Sequence, residues 1–126
     1  MRIAVTSQNF RTVTGHGGKS RRFLVFEVGN GAEPHEVDRL DLPKELSFHE
    51  FHGEGAHPVD GVDALITGSC GAGFARRLAG RGIRVAVTQL DDPRAAVSAY
   101  ASGELQPVDP QTMGQHHHEH DHHHHH

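Results

Sequence analysis

The stretch from Val62 to Thr88 constrains the fold more than any other part of the chain. Val62-Asp63-Ala64-Leu65-Ile66-Thr67 is an apolar run of strand length that enters Gly68-Ser69-Cys70-Gly71-Ala72-Gly73. Phe74, Ala75, Leu78 and Ala79 then recur at helical spacing, Gly80 and Gly82 close that helix, and Ile83 to Thr88 forms a second strand. A strand, a crossover helix and a further strand make a parallel βαβ unit, so a sheet that also holds antiparallel strands must be mixed.

The upstream half supplies antiparallel strands. Arg2 to Thr6 reads as a strand, and residues 7–21, with Asn9, Thr14, Gly15, Gly17, Gly18 and Ser20, as a glycine-rich loop. Phe23 to Val28 is the strongest strand signal, closed by a turn at Gly29-Asn30-Gly31. Glu36 to Leu42 completes a hairpin that Pro43 ends. In residues 44–61, Leu46, Phe48 and Phe51 are spaced for a short helix that Gly53, Gly55 and Pro58 stop. Asp92 reads as a helix N-cap and Pro93 as its first residue, with Ala96, Val97, Tyr100 and Ala101 on one face and Gly103 past the end. The order βββ(α)βαβα predicts an α/β fold with a mixed β-sheet of about five strands and flanking helices.

At 126 residues the chain has room for one ordinary domain. That domain is expected over residues 1–108, followed by a disordered His-rich tail over 109–126. Nine of the 14 histidines lie between His116 and His126, interrupted by Glu119 and Asp121. The tract reads either as native or as a purification tag; in both cases its imidazoles would chelate a divalent metal such as Zn, Ni or Cu. The single cysteine, Cys70, excludes an internal disulfide and favours a reducing cytoplasm. No apolar run reaches membrane-spanning length, and the first residues are too polar for a signal peptide. A formal net charge of −4 argues against a nucleic-acid partner.

Three constellations carry chemistry. The backbone amides of Gly68, Ser69, Cys70 and Gly71 stand where a strand meets a helix N-terminus, an arrangement that binds anions. The glycine order Gly68-x-x-Gly71-x-Gly73 reverses that of a dinucleotide fingerprint, although Asp91 lies about 20 residues on, and there is a single βαβ unit to hold a dinucleotide. Cys70 precedes the helix, whose N-terminus is expected to favour a thiolate. His49, His52 and His57 are spaced to offer imidazoles from one loop, with Glu50 and Glu54 beside them, and no standard zinc motif is present. His16 is framed by Gly15 and Gly17 in the long loop between the first two strands, where a side chain is openly presented.

Met1-Arg2-Ile3-Ala4-Val5, followed by Val13-Thr14-Gly15-His16-Gly17-Gly18-Lys19-Ser20-x-x-Phe23-Leu24-Val25-Phe26-Glu27-Val28, resembles the dinitrogenase iron–molybdenum cofactor biosynthesis family. That family includes NifX, NafY and the C-terminal part of NifB, and its motif runs roughly Val-Ser-x-His-Phe-Gly-Arg-Ala-x-x-Phe. Gly61-Val62-Asp63-Ala64-Leu65-Ile66-Thr67-Gly68-Ser69-Cys70-Gly71-Ala72-Gly73 is similar to its Gly-Val-Asp-x-(Val/Ile)-Ile-x-Gly-Gly-x-Gly segment. The resemblance spans about residues 1–105. Gly17 and Lys19 stand where the motif has Phe and Arg, and Ser69 replaces its second glycine. Losing the Phe is expected to strip apolar cover from His16, while Lys19 keeps the charge but loses the guanidinium fork.

The resemblance implies a ribonuclease H-like fold without nuclease chemistry. It also implies a non-enzymatic role in binding, carrying or assembling an iron–sulfur or molybdenum-containing cluster, and it maps the motif histidine onto His16. On that reading His16, Lys19, Gly68, Ser69, Cys70 and Gly71 bind the cluster, and metal ligands come from His16, Cys70, His49, His52 and His57. The partner is a cluster-assembly or acceptor metalloprotein, and the chain is cytoplasmic, a monomer or weak homo-oligomer. Two other readings stay open from the residues: a His-rich metallochaperone or storage protein for Ni, Zn or Cu, and a regulatory domain that binds a small anion or nucleotide.

Overall fold

Five strands, β1 (Arg2–Thr6), β2 (Arg22–Glu27), β3 (His35–Asp41), β4 (Ala64–Thr67) and β5 (Arg84–Val87), form one sheet in the order β3-β2-β1-β4-β5. The structure, a computed structural model, describes residues 1–29, 33–51 and 55–113. β1 pairs antiparallel with β2 and parallel with β4, β4 pairs parallel with β5, and β2 pairs antiparallel with β3 across a register shift at Val25/Phe26. The mixed five-stranded sheet expected from the sequence is therefore present.

Strict alternation along the central strands divides the core between two faces. Ala4, Phe23, Val25, Leu65 and Val85 point to one side, beneath α1 (Ala72–Gly80), which contributes Phe74, Ala75 and Leu78. Ile3, Val5, Leu24, Phe26, Ala64, Ile66 and Ala86 point to the other, beneath α2 (Pro93–Ser102), which contributes Ala96 and Val97. Asp92 caps α2 by accepting from the Arg94 N–H, and Gly103 ends it in the left-handed conformation (φ 88°).

Two expectations need correction. Residues 44–51 form no α-helix: Lys44–Leu46 is a single 3-10 turn, Ser47 returns to extended backbone (φ −65°, ψ 151°), and Phe48 turns into the core. The folded part also runs past residue 108. The Val108 N–H donates to the Val85 carbonyl (2.7 Å), Asp109 caps a helical turn over residues 110–113, and Met113 packs on the core. The expected turn residues Asn30 and Gly31, and the tract His116 to His126, lie outside the described residues.

The three parallel strands end together, and this places the site. Beyond β1 the chain loops back so that the Thr14 N–H donates to the Thr6 carbonyl (2.9 Å) and the Gly68 N–H to the Thr14 carbonyl (2.9 Å). The Thr6 hydroxyl also donates to the Thr14 carbonyl (2.6 Å) and lies 2.9 Å from the Thr67 hydroxyl. A Cβ on Gly68 would stand 3.3 Å from backbone atoms of Thr14 and Gly15, so glycine there allows the two loops to touch.

Candidate ligand site at the strand ends

His16 is held in the left-handed conformation (φ 57°, ψ 56°), which costs a non-glycine residue on the order of 1–3 kcal/mol. Hydrogen bonds on both sides hold it there. Its N–H donates to the Ser69 hydroxyl (2.9 Å), the Gly17 N–H donates to the Ser69 carbonyl (2.9 Å), and its own carbonyl accepts from Lys19 and Ser20. Ser69, the residue that replaces a motif glycine, is thus the anchor of the His16 loop. The loop lies close against its neighbours: a Cβ on Gly15 would meet the Ser69 hydroxyl at 2.6 Å, and one on Gly17 the Phe74 ring at 2.9 Å.

Below this loop opens a cavity of about 370 Å³. His16, Lys19, Ser69, Cys70 and Gly71 all line it, while Gly68 lies behind them against Thr14 and Gly15. Phe74 forms an apolar wall. This corrects the expectation that Gly17 leaves His16 without apolar cover, because a ring from α1 fills the space beside it. His49 joins the rim from a distant segment. Its N–H donates to the Gly18 carbonyl, and its exposed imidazole lies 3.9 Å from the Glu50 carboxylate. The Arg77 guanidinium on α1 donates to the Phe48 and Phe51 carbonyls on either side of His49 and so fixes the segment in place.

Cys70 is half-buried, and burial pushes its thiol pKa up, against the expected effect of the helix N-terminus. The thiol therefore keeps its proton at neutral pH and would lose it on binding a metal. His57 does not line the cavity: it is 4% exposed, its Nε2 lies 2.6 Å from the Leu46 carbonyl, to which it donates, and its Nδ1 accepts from the Val59 N–H (3.1 Å). Both ring nitrogens are committed. His52 lies outside the described residues. Among the described residues no group of three or more His, Cys, Asp or Glu could hold a metal ion. Arg77, Ser69 as an anchor and Phe74 as a wall escaped sequence reasoning; only the helical spacing of Phe74 marked it, and that marked it as core.

His57 makes stability depend on pH. Desolvation is the largest influence and lowers its pKa; the Leu46 hydrogen bond, next in size, opposes it, Arg81 lowers it, Asp60 raises it and Arg77 lowers it, with a net downward shift. The unfolded imidazole takes up its proton near the ordinary value of about 6.5, and the folded one only at lower pH. The unfolded state then binds more protons, so stability is full above about pH 6.5 and falls as pH drops towards the folded value. Urea titrations at stepped pH should show this decline, and His57→Gln should flatten it.

A mixed sheet whose parallel strands end in a glycine-framed imidazole, a thiol and an open cavity makes this a small α/β domain with a candidate site at its strand ends. The chain belongs to the dinitrogenase iron-molybdenum cofactor family, whose model matches residues 1–103. The NifX protein of Sinorhizobium fredii is 29% identical over 66 residues, which cover 52% of this chain and 37% of that protein. The match thus spans little more than a third of its length. Among solved structures, a provisionally named dinitrogenase from Methanocaldococcus jannaschii superimposes with a TM-score of 0.60 at 13% identity, covering 86% of this chain and 95% of that one. A provisionally named NifB protein from Thermotoga gives a TM-score of 0.53 at 18% identity, covering 84% and 91%. These two likenesses concern the fold. No helix among the described residues is long and apolar enough to cross a membrane.

Proposed function

We propose that this chain binds a preformed iron–sulfur or molybdenum-containing cluster as cargo and hands it to a cluster-assembly or acceptor metalloprotein, without catalysing a reaction. The observation that carries the reading is the convergence of His16 and Cys70 on one open cavity at the strand ends. Family membership and the partial likeness to NifX support it. So does the strand order β3-β2-β1-β4-β5, which we read as the ribonuclease H-like arrangement.

The donor set fits such cargo. Thiolate and imidazole are the ligand types for iron–sulfur and related clusters. Lys19 offers positive charge to an anionic cluster, and Gly71 and the first amides of α1 point their N–H groups towards the same end. A cargo site wants few protein ligands, since every one must be released on transfer. Cys70 makes no hydrogen bond to an imidazole among the described residues, so it has no base positioned to activate it as a nucleophile. We place the protein in the cytoplasm, where a thiol ligand stays reduced.

Anaerobic reconstitution of the full chain with iron, sulfide and molybdate tests this, after a chelator wash to strip metal from the His-rich tract. The parent should retain visible absorption and near-stoichiometric iron. His16→Ala and Cys70→Ser should each lower retention at least about tenfold, since even groups that only orient a ligand are worth about 10–100-fold in metal affinity. Unchanged absorption in the double variant would overturn the reading.

A further inference from the structure

A second hollow, of about 300 Å³, opens on the far side of Lys19 and His49, which line both compartments. Its other walls are Arg21, Lys44, Ser47 and Glu50. Three cations thus face one small volume in a chain of net charge −4, with Glu50 the single carboxylate among them. Of the other cations, Arg2, Arg22, Arg39 and Arg81 bridge to a carboxylate, and Arg77 and Arg94 donate to backbone carbonyls. Lys19, Arg21 and Lys44 make no ion pair among the described residues.

Ser47 supplies an independent observation. The residue is 4% exposed, and its backbone is fully used: its N–H donates to the Lys44 carbonyl, and its carbonyl accepts from Glu50 and Phe51. Its hydroxyl has no hydrogen-bond partner among the described residues and borders the hollow. No side-chain polar atom among the described residues is both buried and unsatisfied, so this hydroxyl reaches the solvent of the hollow and is free to donate to a ligand there. The Arg21 backbone is fixed beside it, because its N–H donates to Gln8 Oε1 (3.0 Å) and its carbonyl accepts from the Leu42 N–H (2.8 Å).

The geometry points to a second ligand compartment that binds a small polyanion, with Lys19, Arg21 and Lys44 providing charge and the Ser47 hydroxyl a neutral donor. Ammonium and guanidinium groups with one hydroxyl recognise carboxylate or phosphate oxygens. The volume suits a small molecule rather than a protein segment. Neither His16 nor Cys70 lines the hollow, so the assignment does not depend on the cluster ligands, although Lys19 and His49 border both compartments.

Calorimetric titration of the full, chelator-washed chain tests it at pH 8 and constant ionic strength, with citrate and inorganic phosphate as separate probes. One-to-one saturable binding of either is expected; citrate alone indicates a carboxylate ligand, phosphate alone an oxyanion. The double variant Arg21→Gln/Lys44→Gln should weaken binding at least about tenfold. Lys44→Gln alone, an exposed substitution that spares the core, should weaken it a few-fold, as should Ser47→Ala. His16→Ala should leave it unchanged. The assignment is overturned if neither probe saturates, if the Arg21 and Lys44 variants bind as the parent does, or if His16→Ala weakens binding as much as they do. The last result would place the anion in the cluster cavity.

Discussion

Phe48→Ala is expected to lower the unfolding free energy by about 3–5 kcal/mol, the usual cost of deleting a buried aromatic ring. Phe48 is 1% exposed and joins three parts of the molecule. Its ring stacks on His57 (centroids 4.2 Å apart, planes at 26°), meets Phe74 of α1 edge-on at 5.7 Å, and lies beneath the Arg77 guanidinium at 5.7 Å. Removing it leaves a cavity bounded by the sheet, α1 and the His57 turn, none of which can close the gap alone. Against a total stability of about 5–15 kcal/mol the loss is large, with a fall in melting temperature on the order of 10–20 °C. Urea denaturation measures it through a lowered midpoint. Phe48→Leu keeps most of the apolar area but loses the ring contacts, and should cost about 1–2 kcal/mol. A cost below about 1 kcal/mol for the alanine variant would show that the segment is not part of the core. Ser47 and His49 flank Phe48, so the same variant should also weaken both proposed ligand sites.

The elements set by alternation were legible in the sequence, because β1, β2 and β4 bury both faces and successive residues divide cleanly between them. Phe23 and Val25 enter one core and Leu24 and Phe26 the other, as period-two spacing requires. His16 could be singled out as well, since glycines on both sides mark a loop held close to its surroundings. The segment 44–51 could not be read. Leu46, Phe48 and Phe51 are spaced like a helix face, but the segment is held by Arg77, which is 26 and 29 residues away from the carbonyls it binds. A long-range hydrogen bond leaves no local pattern. His57 misled for the same reason: its spacing from His49 suggested a shared metal, whereas its nitrogens are taken by Leu46 and Val59. At Cys70 the expected help from a helix end is not what sets the thiol: burial pushes its pKa up, and the local sequence carries no measure of burial.

Gly17 and Phe74 should behave as one volume shared by two positions. The family motif places phenylalanine after its histidine, where this chain has Gly17, and here a ring from α1 occupies that space. A Cβ on Gly17 would lie 2.9 Å from Cε2 and 3.1 Å from Cζ of Phe74, whose ring is 8% exposed and has little room to retreat. Gly17→Phe should therefore overpack the site and cost about 3 kcal/mol. Phe74→Ala should cost about the same by leaving a cavity. The double variant Gly17→Phe/Phe74→Ala supplies a ring from the loop in place of the ring from the helix. It should lie within about 2–3 kcal/mol of the parent, giving a coupling near 3 kcal/mol, at the upper end for residues in contact. Denaturant titration of all four proteins closes the cycle. Strict additivity would mean that the two positions do not compete for one space. Cluster retention adds a functional readout: each single variant disturbs the wall beside His16, whereas the swap rebuilds it and should recover retention with stability. If stability recovered without retention, the wall would have to come from α1, and the position of the ring as well as its volume would matter to the cargo.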